Sequence, residues 1–204
     1  MTESLEIRNQ LTYTDKFFSD VGWYREPIFK TLGITKDIII TIFPKAENDM
    51  SLTAFINGEP IGQCTANKWE YFISQVPVHI FNVKENKDKN VHKLIKLQEK
   101  MNNCEKDVLL PFMFKQNFAY QDIAHVCGLM VLNDYAQKGI GTKLVAEIDK
   151  LLVSQGYKVA VVETSNMKSR KTFEKNGYVE FAFFALADFG IDFDDRYSIM
   201  YKIF

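Results

Sequence analysis

Side chains and backbone able to do chemistry gather at three places in this chain. One is the turn Asn133-Asp134-Tyr135-Ala136-Gln137-Lys138-Gly139-Ile140-Gly141, between an apolar run and a stretch of helical spacing. The N–H groups of Gln137, Lys138, Gly139, Ile140, Gly141 and Thr142 would converge there, and the helix dipole adds partial positive charge, so the turn suits a pyrophosphate. A P-loop is a poor fit, because Gly141 is followed by Thr142 and then Lys143; a dinucleotide fingerprint fails at Leu144, where a third glycine is needed. A glycine turn that holds no ligand is the other reading of these letters. The second place is the apolar run itself, where alternation puts His125, Cys127 and Leu129 on one face. An imidazole titrates near neutral pH and suits proton transfer, and a core histidine fits the same letters. Cys127 reads either as a nucleophile or as a small buried hydrophobe. The third is Arg25-Glu26-Pro27. A residue before proline avoids helical backbone, so Glu26 sits at the start of a helix over Pro27 to Leu32. Its carboxylate either favours that N-terminus or accepts a proton.

The elements that must position these groups follow from periodicity. Ile123 onward is a buried strand, and Ile140, Leu144, Val145, Ile148, Leu151 and Leu152 form one side of the helix after the turn, closed by Gly156. Lys158 to Thr164 is a second buried strand, Asn166 to Asn176 a helix stopped by Gly177, and Tyr178 to Leu186 and Tyr197 to Ile203 the last two strands. Upstream, Leu5 to Arg8 reads as a short strand and Thr12 to Gly33 as broken helix. Ser51 to Phe72 is a hairpin turning at Asn57-Gly58, and Ser74 to Lys89 is loop. Lys89 to Glu105 is an amphipathic helix with Val91, Leu94, Ile95, Gln98 and Met101 along one side; Leu109 to Asp122 reads as a second short helix over a pocket. The order predicts an α/β (α+β) chain, a mixed sheet with helices on its faces, as one domain over residues 1–204.

Composition narrows the function classes. The 204 residues are 47% hydrophobic, enough for a sizeable core, and 25 Lys and Arg balance 26 Asp and Glu for a net charge of −1. No basic footprint for nucleic acid or an anionic membrane stands out, and no apolar run approaches the ~20 residues of a membrane span. The opening MTESLEIRNQ lacks the pattern of a secretory signal. Cys64, Cys104 and Cys127 form no Cys-x-x-Cys pair, so neither a disulfide framework nor a metal site is expected. A reduced, cytoplasmic protein is the expectation; the oligomeric state stays open.

Val131, Tyr135, Lys138, Gly139, Ile140, Gly141 and Leu144 resemble the acetyl-CoA-binding motif of the GNAT N-acetyltransferase superfamily, with Ala136 where that motif carries Arg or Gln. Asn166, Ser169, Thr172, Phe173, Glu174, Lys175, Asn176, Gly177 and Tyr178 resemble its closing motif. Phe17-Phe18, Trp23, Arg25-Glu26-Pro27 and Leu32-Gly33-Ile34 resemble the N-terminal signature of invertebrate-type arylalkylamine N-acetyltransferases. The resemblance implies a GNAT-like mixed, mostly antiparallel, central β-sheet flanked by helices, with acetyl-CoA as cosubstrate and no metal. It implies pantetheine and acetyl against Leu129, Met130 and Val131, an oxyanion on the Leu129 N–H, and Asn166 on the pantetheine arm. Glu26 is then the base toward a small arylalkylamine or polyamine, with His125 second or as a relay. The tyrosine that protonates CoA thiolate in the family falls at Phe173, which leaves Tyr135, Tyr178, Tyr197 and Tyr201. A peptide acetyltransferase and a catalytically silent acyl-CoA-binding module are the alternatives.

Overall fold

The computed structural model describes residues 4–10, 20–22, 25–38, 50–69 and 88–204. The expectations for Phe17-Phe18, for Trp23 and for most of the 74–89 loop lie outside these residues. Seven strands form one sheet in the order β1-β2-β3-β4-β5-β7-β6. They are β1 (Leu5–Asn9), β2 (Ser51–Ile56), β3 (Glu59–Lys68), β4 (Ile123–Val131), β5 (Val159–Thr164), β6 (Val179–Ala185) and β7 (Arg196–Ile203). Every neighbouring pair is antiparallel except β4 with β5, which run parallel. The β2–β3 hairpin turns at Asn57 and Gly58, both at positive φ (51° and 80°), the combination that a two-residue turn requires and that these residues tolerate.

Helices cover both faces. Helix α3 (Ile140–Ser154) lays Ile140, Leu144, Val145, Ile148 and Leu152 on one face, against Ala66, Ala124, Val126, Ala160 and Val162. On the other, α2 (Lys89–Lys115) packs Leu97, Met101, Leu109 and Met113 on Trp69, Ile123, Val159 and Val161. The short α1 (Pro27–Thr31) brings Ile28 and Phe29 against Val91 and Leu94 at the start of α2. Helix α4 (Met167–Lys175) follows β5 and buries Phe173 beside α3.

Two expectations are corrected. The stretch 109–122 is not a separate helix: α2 runs unbroken through Pro111 to Lys115, and only Tyr120–Asp122 forms a further 3-10 turn. Proline removes one helical hydrogen bond, but the buried stripe Leu94, Leu97, Met101, Glu105, Leu109, Met113 continues past it, and packing outweighs the lost bond. The second correction concerns β4. Its pairing with β3 slips between Thr65 and Ala66, opposite Gly128 and Val126, so Cys127 is an extra residue in the ladder. The bulge reverses the alternation. His125 stays on the α2 face, whereas Leu129 turns with Val131 toward the α3 face and does not share His125's side.

Candidate active site

The parallel pair β4–β5 is in register only at Ile123↔Val159, Ala124↔Ala160 and His125↔Val161. Beyond that point the strands part, while β4 stays paired to β3 as far as Val131 and β5 to β7 as far as Thr164. From Val126 onward β4 therefore has an open hydrogen-bonding edge inside the sheet. Buried backbone groups are rarely left without partners, and this seam is where an extended, amide-containing ligand would find them.

The seam opens into a cavity of about 790 Å³ whose wall includes Glu26, His125, Glu163 and Asn166. At one end lies the start of α3. Gln137 (φ 62°) and Gly139 (φ 79°) are in the left-handed region, and a Cβ added at Gly139 would meet nothing within 4 Å. The first bond returning to the turn is Lys143 N to Gly139 O at 3.0 Å. The N–H groups ahead of it, on Ile140, Gly141 and Thr142, have no helical partner. Leu129, Met130, Val131, Gln137, Gly139, Ile140, Gly141, Thr142 and Asn166 all reach the cavity wall. Lys138 is the exception: its ammonium lies over the Tyr135 ring, 5.0 Å from the centroid.

Glu26 is the N-cap residue of α1 with extended backbone (φ −61°, ψ 143°), as expected before Pro27, and its side chain makes no cap hydrogen bond. The carboxylate faces the cavity instead, where Oε1 accepts from Asn166 Nδ2 at 2.9 Å. Asn166 also caps α4, its Oδ1 accepting from the N–H of Lys168 (2.8 Å) and Ser169 (3.2 Å). One amide therefore fixes the start of α4 and orients a carboxylate 140 positions earlier in the chain.

His125 is 1% exposed, and its Nε2 lies 2.5 Å from Glu163 Oε2. Burial lowers its pKa to about 4, partly offset by the nearby Glu105, so the imidazole is neutral at pH 7. Burial pushes the Cys127 thiol up to about 11. The thiol lies 3.4 Å from both Thr65 Oγ1 and Asn67 Nδ2, and stays protonated at neutral pH. Of the tyrosines left open above, Tyr135 and Tyr197 reach the cavity. Tyr178 instead donates to Asp149 at 2.7 Å, and Tyr201 packs among Phe112 and Phe181.

Sequence reasoning did not single out Glu163, Lys168 or Lys171, and named Lys175 only within the closing motif; the three lysines line the cavity from α4. Glu163 and the lysines both had a signal. The lysines recur at i, i+3 and i+7, one helical face, and Glu163 is a charge inside an otherwise apolar strand, which is rare without a purpose. Among the described residues no group of three or more His, Cys, Asp or Glu could hold a metal ion, and no helix is long and apolar enough to cross a membrane.

Residues 109–178 match the Acetyltransferase (GNAT) family. No curated protein sequence matches the chain. Among solved structures it is similar to mosquito arylalkylamine N-acetyltransferase like 5b, at 14% identity over 98% of this chain and 100% of that one, with a TM-score of 0.66. Arylalkylamine N-acetyltransferase 2 from Aedes aegypti aligns at 17% identity over 98% of each chain, with a TM-score of 0.61. The polyamine N-acetyltransferase of Drosophila melanogaster, which catalyses the formation of N-acetylagmatine, aligns at 10% identity over 98% of this chain and 100% of that one, with a TM-score of 0.62. At such identities the likeness is one of fold, and the fold is the GNAT sheet.

Proposed function

We propose that this chain, which carries the GNAT family segment over residues 109–178 on the GNAT fold, is a single-domain N-acetyltransferase that moves acetyl from acetyl-CoA to a small primary amine of the arylalkylamine or polyamine class. One observation carries the reading: an open β4 edge leads to a helix N-terminus with free N–H groups, in a single cavity that also holds a carboxylate. Pantetheine is an extended diamide and would pair along the edge of Leu129, Met130 and Val131. The amides from Gln137 to Thr142 would hold the pyrophosphate, and Lys168, Lys171 and Lys175 add positive charge on the facing wall.

Acetyl-CoA supplies an activated acyl group; the chain must supply a deprotonated nucleophile. An alkylamine with pKa near ~10 arrives as a cation, and Glu26, held by Asn166, takes the proton directly or through one water. The nitrogen then bonds to the thioester carbon, the oxyanion meets the Leu129 N–H, and the C–S bond breaks to release CoA thiolate. Thiols ionise near pKa ~8.5, so Phe173 in place of a tyrosine is tolerable. Direct attack is favoured over an acyl-enzyme on Cys127 because that thiol is protonated and hydrogen-bonded. His125, neutral at pH 7, serves as relay.

CoA release measured with tyramine, dopamine, serotonin and spermidine, with the acetylated product identified by mass, tests this. Turnover of at least one amine is expected. Acetylation of peptides but of no small amine would overturn the substrate class, and acetyl-CoA binding without any turnover would leave only a binding module.

A further inference from the structure

The floor of the cavity carries a second acidic group that the acetyl-transfer step does not use. Glu163 sits on β5 just past the last β4–β5 pair, on the face that Val159 and Val161 turn toward α2. Its side chain is 10% exposed and contacts His125. Glu105 of α2, 1% exposed, lies close to Glu163 and accepts from Trp69 Nε1 at 3.2 Å, while Glu105 Oε2 and Glu163 Oε1 have no hydrogen-bond partner among the described residues. Burial raises the pKa of both carboxyls, and the nearness of Glu163 raises that of Glu105 further. Among the described residues no lysine or arginine is ion-paired to either, and His125 is neutral. A buried carboxylate without a counter-charge is costly and marks a place that a cation would complete.

A separate observation concerns Tyr197. It is 4% exposed, reaches the same cavity, and its hydroxyl has no hydrogen-bond partner among the described residues. The spacing also matters. Glu163 precedes Asn166, the residue that holds Glu26, by three positions, and three residues of extended chain span at most ~10 Å. Both carboxylates line the same cavity.

We propose that Glu163, backed by Glu105 and flanked by Tyr197, is a subsite for a second cationic group of the acceptor, so that the preferred acceptor is an aliphatic amine with an ammonium or guanidinium at its far end. This rests on the acetyl-transfer reading: Glu26 receives the nitrogen to be acetylated, and Glu163 holds the other cation.

Comparing 1,5-diaminopentane with hexylamine, in which a methyl replaces one amino group, tests the assignment through kcat/KM and through binding by calorimetry. The diamine should be preferred by roughly tenfold or more, and Glu163→Gln should cut that preference by roughly tenfold with a matching loss of diamine affinity. The wild-type ratio alone is decisive if the variant does not fold. Equal kcat/KM for the two amines in the wild type would overturn the subsite and leave acetyl transfer standing. An unchanged ratio in Glu163→Gln, with both amines slowed together, would overturn it too, since Glu163 would then act only through His125. Tight binding of the diamine, lost in Glu163→Gln, with no turnover of any amine would uphold the subsite and remove the acetyl-transfer reading. If neither amine binds or reacts, both the subsite and the acetyl-transfer reading are removed.

Discussion

Replacing Glu26 with glutamine separates chemistry from structure. The side chain makes no cap bond to α1, and its carboxylate accepts from Asn166 Nδ2 at 2.9 Å. Glutamine keeps an acceptor oxygen at that place. The change therefore turns a hydrogen bond to a charged group into a neutral one, a difference of about 1 kcal/mol, or roughly 2–4 °C in Tm for a chain of this size. What glutamine cannot do is take a proton. Loss of a general base costs about 10²–10⁴-fold, about 3–5 kcal/mol of barrier, so the catalytic effect exceeds the structural one several times over. Initial rates of CoA release with a saturating amine, with acetyl-CoA affinity and Tm measured alongside, should show kcat falling by that factor while affinity and Tm barely move. A kcat within about threefold of the wild type would refute the role of Glu26.

Asn166→Asp keeps both cap acceptors for α4 but gives up the donor to Glu26 and adds a like charge. Tm should hold within a few degrees while kcat falls roughly 10–100-fold, and an unchanged kcat would dismiss the orienting role. Burial holds the Glu105 carboxyl well above its ordinary value of 4.5, so the folded chain keeps a proton there that the unfolded chain releases. Stability from this group is complete below pH 4.5 and falls by about 1.4 kcal/mol per unit as pH rises, until the folded value is passed. In Glu105→Gln, with Glu163, His125 and Tyr197 facing the site as before, the Tm difference from the wild type should shift in the variant's favour between pH 4.5 and 8; a constant difference would contradict this. A Cβ at Gly62 would lie 3.1 Å from both Leu144 Cδ1 and the Met130 carbonyl, so Gly62→Ala should cost about 1–3 kcal/mol and lower Tm by roughly 2–10 °C in a thermal melt. No loss of Tm would mean that the α3–β3 packing yields easily.

Local signals were the legible ones. Asn57-Gly58, Gly139, Gly156 and Gly177 mark backbone with positive φ, and each lies where a turn or helix end was expected. Apolar spacing placed α3 and the buried strands for the same reason. The extent of α2 was not legible, because Pro111 is a local stop signal while the packing that overrides it comes from Trp69 and β5, far away in sequence. The Cys127 bulge was hidden for a similar reason: one added residue changes no letter pattern, yet it sends Leu129 to the opposite face. In the candidate site, Glu26 and Asn166 could each be picked out by motif, but their contact spans 140 positions and no spacing rule connects them. Glu163 and Glu105 acquire meaning only through each other, one from a strand and one from a helix on the α2 face.

Everything rests on the open β4 edge and the amides ahead of α3 gripping acetyl-CoA. Calorimetric titration of the wild type and of Gly139→Glu, whose carboxylate would enter the pyrophosphate cradle, is the most direct measurement. Binding at a 1:1 ratio by the wild type, weakened at least ~100-fold in the variant, is the outcome the account predicts. No affinity in the wild type, or equal affinity in both proteins, would contradict it.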